Sequence, residues 1–198
     1  MDEKKLSNIK QLQLDIMDHI HMLCETNGIS YYMVGGTLIG AMRHKGFIPW
    51  DVDIDITMPR EDYSRFKDIC CSFSDSKYEY LDFKNSVGFN KPHSILRLKN
   101  THLHIAGDAN SKYDYGVFVD VFPLDNVPND IKAMKKHKKK INKYKKLLIL
   151  KTSYWRPTNI FKRIIKSIVK CVLSLIPLNY IQSKLEKEFM RYDSGEAL

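Results

Sequence analysis

Residues 35–58 read GGTLIGAMRHKGFIPWDVDIDITM, and two features of this segment predict how it folds. A β-rich run, residues 29–34, ends at Gly35-Gly36 and is followed by residues that favour a short helix. Farther on, Asp51, Asp53 and Asp55 alternate with aliphatic residues, which is the period-2 pattern of a strand with one face in the core. The segment therefore predicts a strand, a tight turn, a short helix and a second strand that carries three carboxylates on one face.

Three neighbouring carboxylates repel one another, and a hard divalent cation such as Mg²⁺ or Mn²⁺ relieves that repulsion. Asp51, Asp53 and Asp55 are therefore candidate metal ligands, together with Asp120 from a later buried-type strand. Gly36, before a helix, would let backbone N–H groups approach a phosphate, and Thr37 would add a hydroxyl donor. The alternative for the acidic residues alone is a solvated edge strand without a ligand.

The rest of the chain predicts an α+β fold, in which a mixed β-sheet is flanked by helices and followed by a basic helical C-terminal portion. Apolar residues at three- and four-residue steps predict a first helix over residues 5–26. Pro59 would begin a second long helix that ends near residue 73. The further expected strands are 78–83, 94–98, 102–106 and 116–122, the last stopped by Pro123. From residue 129 onward we expect helices, with breaks at 156–157 and 176–177.

Charge is distributed very unevenly along the 198 residues, whose formal net charge is +9. Residues 1–131 contain 14 Lys and Arg against 19 Asp and Glu, a net charge of −5, whereas residues 132–198 contain 18 against 4, a net charge of +14. We therefore expect two domains, a catalytic core at 1–128 and a basic helical region at 129–198 that is a cap or a membrane-surface dock. The four cysteines lack metal-ligand spacing, and the N-terminus lacks a signal-peptide pattern, so we expect a cytoplasmic protein.

The chain resembles a known family over two blocks. Residues 36–63, GTLIGAMRHKGFIPWDVDIDITMPREDY, resemble the central motif of the LicD family, and residues 118–125, FVDVFPLD, resemble its second block. This family belongs to the nucleotidyltransferase-fold superfamily and is similar to the catalytic domain of fukutin-related protein. Val52 stands where the family commonly has another acid. LicD-like chains usually continue into a further block that has no counterpart before Leu198.

The resemblance implies a bacterial-type, metal-dependent enzyme that transfers phosphocholine or a related phospho-alcohol. Its donor would be a CDP-alcohol, and its acceptor a glycan or lipid-linked glycan of lipopolysaccharide, capsule or teichoic acid. Asp53 and Asp55 would hold Mg²⁺, Asp51 would be a further ligand, and Asp120 would complete the metal site or act as general base. The candidate substrate-binding residues are Gly36, Thr37, Arg43, His44, Lys45 and Arg97.

Other interpretations stay open at this point. A nucleotidyltransferase of the same fold would have the same metal site. A nucleic-acid-binding module would use the 16 Lys and Arg residues between 132 and 184, but the sequence contains no helix-turn-helix or zinc-finger motif. The apolar pairs of residues 160–173 predict a basic amphipathic helix, which would place the protein on the inner face of an anionic membrane or cover the sheet. For Trp50, His102, His104, Lys99 and Asp125, a structural role is the simpler interpretation.

Overall fold

A computed structural model of the chain describes residues 3–72, 77–103, 115–152, 160, 167 and 170–193. These residues form two compact units. The first contains residues 3–72, 77–82, 93–103 and 115–124, and the second contains residues 83–92 and the described residues from Asp125 onward. The sequence predicts that residues 1–128 and residues 129–198 are separate domains, and this boundary stays a prediction.

Helices and strands alternate up to Leu81, two further strands follow up to Leu124, and the regular structure described after Leu124 is helical. The helices are α1 (Glu3–Asn27), α2 (Gly35–His44), α3 (Arg60–Ser72), α4 (Ile131–Thr152) and α5 (Leu178–Phe189), followed by a 3₁₀ turn at Met190–Tyr192. The strands are β1 (Tyr32–Met33), β2 (Asp55–Pro59), β3 (Tyr78–Leu81), β4 (Ser94–Leu98) and β5 (Phe118–Leu124). Residues 170–174 are also helical. The expected α+β class with a mixed sheet is confirmed.

The five strands form one sheet in the order β1-β2-β5-β4-β3. Strands β2 and β5 pair in parallel, and the other three pairings are antiparallel. Asp120 of β5 lies opposite Asp55 of β2 on one side and opposite Ile95 of β4 on the other side. Opposite residues in neighbouring strands project from the same face of the sheet, so Asp55 and Asp120 are neighbours on one face.

The two faces of this sheet differ in chemistry because side chains alternate along each strand. One face carries Ile54, Ile56, Met58, Val119 and Val121, all buried in the core of the first unit. Helix α1 contributes Ile16, Ile20 and Leu23 to that core, and α3 contributes Tyr63 and Phe66. The opposite face carries Asp55, Asp120 and Phe122. Hydrophobic burial on the first face therefore fixes the register that aligns the carboxylates on the second.

Several predicted boundaries are wrong, for physical reasons. Strand β2 begins at Asp55 rather than Asp51, because its pairing with β5 begins at Asp55, opposite Asp120. Pro59 ends β2 and does not begin α3. Pro123 lies inside β5, where the pairing with β4 has already ended at Val121, so the missing proline N–H costs no bond on that side.

Of the predicted strand at 102–106, residues 102 and 103 lie outside regular structure. The remaining residues of this prediction, 104–106, lie outside the described ranges. The predicted break at 176–177 is confirmed, since α5 begins at Leu178. The predicted break at 156–157 lies outside the described residues. So does most of the predicted amphipathic helix over 160–173, including the side chains of residues 161–166.

In the second unit, α4 packs against α5 around Leu148, Ile181 and Leu185. The sequence predicts a narrow apolar seam on α4 with lysines on the outer face. His137 and Leu148 of that seam are buried, whereas the lysines at 135, 136, 138 and 139 are exposed. No helix among the described residues is both long enough and apolar enough to cross a bilayer.

Candidate active site

Three carboxylates converge on the acidic face of the sheet. Asp53, Asp55 and Asp120 each place an oxygen within 4.8 Å of the others. Asp55 and Asp120 face each other across the parallel β2–β5 pair, and Asp53 precedes Asp55 by two residues. The pairing continues beyond β2, because the backbone N–H of Asp120 donates to the carbonyl of Ile54 at 2.9 Å. Asp55 and Asp120 are therefore held by the sheet itself, and Asp53 lies in the segment that leads directly into β2.

The glycine pair lies against these carboxylates. A Cβ atom on Gly35 would lie 3.3 Å from Oδ2 of Asp55, and one on Gly36 would overlap the carboxylate of Asp51. Gly35 also has a φ of +58°, which L-residues with a side chain rarely adopt. The glycines therefore let the N-terminus of α2 approach the acidic residues closely, and the positive end of the helix dipole favours the negative charge there.

Thr37 connects α2 to the acidic strand. Its Oγ1 accepts a hydrogen bond from the backbone N–H of Asp55 at 2.8 Å, while the N–H of Val34 donates to the carbonyl of Asp55 at 3.2 Å. Both backbone groups of Asp55 are thus bound by the start of α2. The sequence suggested that the Thr37 hydroxyl donates a hydrogen bond to a phosphate. In the structure this hydroxyl accepts a hydrogen bond from Asp55 and so helps to position Asp55.

The electrostatic state of Asp53 reflects the crowding of acids. Burial raises the pKa of Asp53 to about 6, with further contributions from a hydrogen bond with Asp51 and from the charges of Asp55, Asp51 and Asp120. A raised pKa means that the ionised form is unfavourable in the folded chain. A divalent cation would remove that penalty, so the donor set fits a hard metal such as Mg²⁺ or Mn²⁺. Asp51 contacts this set through Asp53 and lies beside Gly36.

His93 is a site residue that the sequence reasoning missed. Its Nε2 lies 2.7 Å from Oδ1 of Asp120, and its ring packs against Phe122 with centroids 4.0 Å apart. When Asp120 is ionised its carboxylate only accepts hydrogen bonds, and Nε2 of His93 is then the donor. No sequence signal marks His93, because it reaches Asp120 through the β4–β5 register, which places the residue before Ser94 on the same face as Asp120.

The predicted basic substrate contacts lie elsewhere on the first unit. Arg97 forms a salt bridge with Glu79, with Nη2 2.6 Å from Oε2. Arg43, His44 and Lys45 are exposed at the C-terminal end of α2. At 1.5 Å per residue, that end lies roughly 12 Å along the helix axis from Gly36. The structure therefore groups Gly36 and Thr37 with the carboxylates, but not the three basic residues.

Residues 28–160 match the family model described as LicD/FKTN/FKRP, nucleotidyltransferase domain. The chain belongs to this family. The resemblance inferred from residues 36–63 and 118–125 is thereby confirmed, and the acidic face of the sheet is the part of the domain in which those two blocks meet.

Individual relatives support the assignment over part of their length. The chain is 38% identical over 130 residues to the lipopolysaccharide cholinephosphotransferase LicD of Haemophilus influenzae, covering 64% of this chain and 48% of that protein. It is 31% identical over 139 residues to an uncharacterised protein of Rickettsia typhi, covering 70% and 41%. A shorter match, 47% over 38 residues, is to the human ribitol 5-phosphate transferase FKRP, covering 19% and 8%. The chain thus spans about half the length of its bacterial relatives.

Proposed function

We propose that this chain carries the catalytic domain of a phosphotransferase that moves a phospho-alcohol from a CDP-linked donor to a hydroxyl of a cell-surface glycan. The observation that carries the proposal is the convergence of Asp53, Asp55 and Asp120 at the β2–β5 strand pair, where their carboxylate oxygens lie within 4.8 Å of one another. Two relatives support the reaction class, because their names describe a cholinephosphotransferase and a ribitol 5-phosphate transferase. Phosphocholine is the first candidate for the transferred group.

Asp53, Asp55 and Asp120 would hold Mg²⁺ or Mn²⁺, with Asp51 beside them. Such an ion supplies charge stabilisation for a transferring phosphoryl group. The chain's own contribution is to hold four acids where they would repel one another. The strand pairing fixes Asp55 and Asp120, and the start of α2 fixes both backbone groups of Asp55.

Asp120 is also the candidate general base. Its Oδ1 lies 2.7 Å from Nε2 of His93, and this contact orients the carboxylate. In the proposed step, the acceptor hydroxyl oxygen bonds to the phosphorus that carries the alcohol. The bond from that phosphorus to the bridging oxygen breaks, CMP leaves with that oxygen, and the hydroxyl proton passes to the carboxylate. Asp120→Asn removes both a metal ligand and a base, so we expect it to abolish transfer in either role.

The start of α2 is the proposed contact for the donor diphosphate. The backbone N–H groups at a helix N-terminus and the positive end of its dipole attract phosphate. Gly36 has no side chain that would block this approach. Because the carboxylate of Asp51 lies beside Gly36 and would repel a phosphate, a cation between the carboxylate and the phosphate is needed for binding. This arrangement makes donor binding dependent on the metal.

The decisive experiment measures the thermal stability of the chain with a panel of CDP-alcohols, with and without Mg²⁺. We expect one CDP-alcohol to raise the melting temperature only when Mg²⁺ is present, and Asp53→Asn to abolish the effect. Asp68→Asn removes an exposed carboxylate from α3 and is the matched control. Product analysis then separates the alternatives: released CMP indicates phospho-alcohol transfer, whereas released pyrophosphate from a nucleoside triphosphate indicates nucleotidyl transfer. If no CDP-alcohol stabilises the unaltered chain with Mg²⁺, the donor assignment is wrong.

The proposal includes a location at the cytoplasmic face of a membrane, where lipid-linked glycans would be available. It is supported by the basic character of residues 132–184, whose exposed lysines on α4 would favour anionic headgroups. Sedimentation with vesicles tests it. Equal binding to neutral and anionic vesicles would contradict an electrostatic attachment.

A further inference from the structure

A cavity of about 350 Å³ opens in the first unit, and none of the four candidate metal ligands lines it. Leu14 and Met17 of α1 form one wall, Tyr31 and Met33 another, and Ala41 of α2 a third. Its volume lies within the range of cavities that bind small molecules in proteins, roughly 300–1,000 Å³. It is large enough for a ligand and not merely a packing defect.

The walls of this cavity are almost entirely apolar. Phe47 and Ile54 complete the lining with the leucine, methionine and alanine side chains. Tyr31 contributes its ring, because its hydroxyl lies 3.0 Å from Nδ1 of His21, which is not a lining residue. Water in such a cavity finds few hydrogen-bonding partners, so an apolar ligand that displaces it gains free energy. Methionine side chains also adapt to the shape of a flexible chain.

The charges at the cavity are positive. Lys45, the left-handed C-cap of α2, lines the cavity and is exposed. The Nζ of Lys10 lies 5.1 Å from the ring centroid of Phe47 and within 3.4 Å of the carbonyl of Ile48. None of the described residues that line the cavity is acidic. An apolar interior with cations at its edge selects a ligand with a hydrocarbon body and an anionic end.

One residue links the cavity to the candidate active site. Thr37 lines the cavity and accepts the hydrogen bond from the backbone N–H of Asp55. Ile54, between Asp53 and Asp55 in the chain, also lines it. A bound molecule would therefore contact Thr37 and Ile54, both of which adjoin the candidate metal-binding carboxylates.

We propose that this cavity binds the hydrocarbon chain of a single-chain lipid phosphate, with Lys45 contacting the phosphate. The proposal adds a ligand to the domain and does not depend on the CDP-alcohol reaction. It makes the first unit a lipid-binding as well as a metal-binding module.

The test is displacement of a fluorescent fatty acid, dansyl-undecanoate, from the full chain at concentrations below those at which the ligands form micelles. We expect decyl phosphate to displace the probe, decanol to displace it more weakly, and inorganic phosphate to leave it bound. Displacement by inorganic phosphate alone would place the anion site elsewhere and overturn the proposal. So would equal displacement by decyl phosphate and decanol, since Lys45 would then contribute nothing.

Two substitutions on α2 separate the cavity from the rest of the surface. Ala41→Phe fills the cavity and should weaken probe binding about tenfold, because the apolar area open to the ligand is lost. Ile39→Phe is the matched control, since Ile39 is 47% exposed and is absent from the lining. Equal binding by the two variants would show adsorption to exposed apolar surface and contradict the proposal.

Two further variants keep the test independent of folding and of the proposed reaction. Lys45→Gln should weaken decyl phosphate several-fold and leave decanol unchanged, an outcome that a general loss of structure would not give. If Ala41→Phe does not fold, Leu14→Gln removes apolar surface from the α1 wall at a position that is 42% exposed. Stabilisation by Mg²⁺ is measured on each variant. Loss of lipid binding with Mg²⁺ stabilisation intact assigns the failure to the cavity, whereas the reverse assigns it to the carboxylates.

Discussion

At the scale of single residues, the candidate site depends on neighbours that are not themselves acidic. Asp55 is fixed by the hydroxyl of Thr37 and the backbone of Val34, and Asp120 by the imidazole of His93. These contacts orient groups that would otherwise separate under their own repulsion. The neighbours should therefore affect metal binding although none of them is a proposed ligand.

Thr37 provides the first test of this view. Thr37→Val keeps the shape of the side chain but leaves the N–H of Asp55 without its acceptor, which costs roughly 1–3 kcal/mol when the group is buried. We expect a lower free energy of unfolding in urea and several-fold weaker Mg²⁺ binding. Thr37→Ser keeps the hydroxyl and should remain close to the unaltered chain in both measurements. If Ser and Val lower Mg²⁺ binding equally, the hydroxyl does not position Asp55.

Asp53 gives a prediction about pH. Burial and the neighbouring carboxylates raise its pKa to about 6, above the ordinary 3.8. Between those values the folded chain binds more protons than the unfolded chain, so the free energy of unfolding falls as pH rises through this window. In metal-free protein, Asp53→Asn should therefore increase stability at pH 7.5, on the order of 1 kcal/mol after solvent screening. The gain should vanish near pH 4, where Asp53 is protonated.

Thermal unfolding of the metal-free variant and the unaltered chain across pH 4–8 measures this effect. Addition of Mg²⁺ should reverse the order at pH 7.5, since only the unaltered chain has the full ligand set. If Asp53→Asn is less stable than the unaltered chain at pH 7.5 without metal, the ionised form of Asp53 does not destabilise the fold.

The residues of the site were predictable to different degrees. Alternation in residues 51–58 was enough to group Asp53 and Asp55 on one face, and the second β-rich block pointed to Asp120. His93 was not predictable, because it contacts Asp120 across a register that only the folded sheet defines. Strand alternation alone makes Arg97 a candidate phosphate contact, but it gives no information about Glu79 on the adjacent β3, with which Arg97 forms a salt bridge.

At the scale of elements, α2 is the part on which the site depends most. Its first turn contacts the acidic residues through Gly35, Gly36 and Thr37, and its buried Gly40 packs on the loop that leads to Asp51. A Cβ on Gly40 would lie 2.5 Å from the carbonyl oxygen of Gly46 and 3.0 Å from the N atom of Ile48. Both contacts are with backbone, so the loop would have to move.

Gly40→Ala should therefore destabilise the chain despite the higher helix propensity of alanine. The expected loss is about 1–3 kcal/mol from overpacking, against a propensity gain of up to about 1 kcal/mol. Mg²⁺ binding should weaken as well, because the N–H of Asp51 donates to the carbonyl of Ile48 in the same loop. Gly46→Ala is the control: nothing lies within 4 Å of its Cβ position, so its free energy of unfolding should change by less than about 0.5 kcal/mol. Equal effects of the two substitutions would contradict the packing argument.

Element boundaries were predicted well where local signals act alone. Helix α1 follows its apolar spacing to Asn27, and Gly28 takes a φ of +60° immediately after it. Strands were less predictable because their length depends on partners. The run at 29–34 was long enough for a full strand, but α2 begins at Gly35 and leaves only Tyr32 and Met33 paired with β2.

At the scale of the whole molecule, the net charge of +9 is the sum of an acidic segment, residues 1–131, and a basic segment, residues 132–198. The acidic segment contains the sheet and the candidate metal site, and the basic segment is helical wherever it is described as regular structure. Charge counting located this change of character near residue 130, but it could not assign residues 83–92. Those residues follow β3 in sequence and belong to the second unit, because their contacts are with residues far along the chain.

The grouping of residues 83–92 with the second unit leads to the last prediction, which concerns the domain boundary expected at 128/129. Phe89 is 1% exposed, and its carbonyl accepts a hydrogen bond from Nε2 of Gln182 at 2.7 Å. Lys84 and Glu186 of the same unit form a salt bridge at 3.1 Å.

A chain that ends at Leu124 loses these partners and should expose Phe89, so we expect increased binding of the dye ANS and a less cooperative thermal transition. Phe89→Asn within the shortened chain should lower ANS binding, whereas the same substitution in the full chain should destabilise it by about 3 kcal/mol through loss of a buried ring. A shortened chain that unfolds cooperatively and binds no more ANS than the full chain would instead establish the acidic segment as an independent domain.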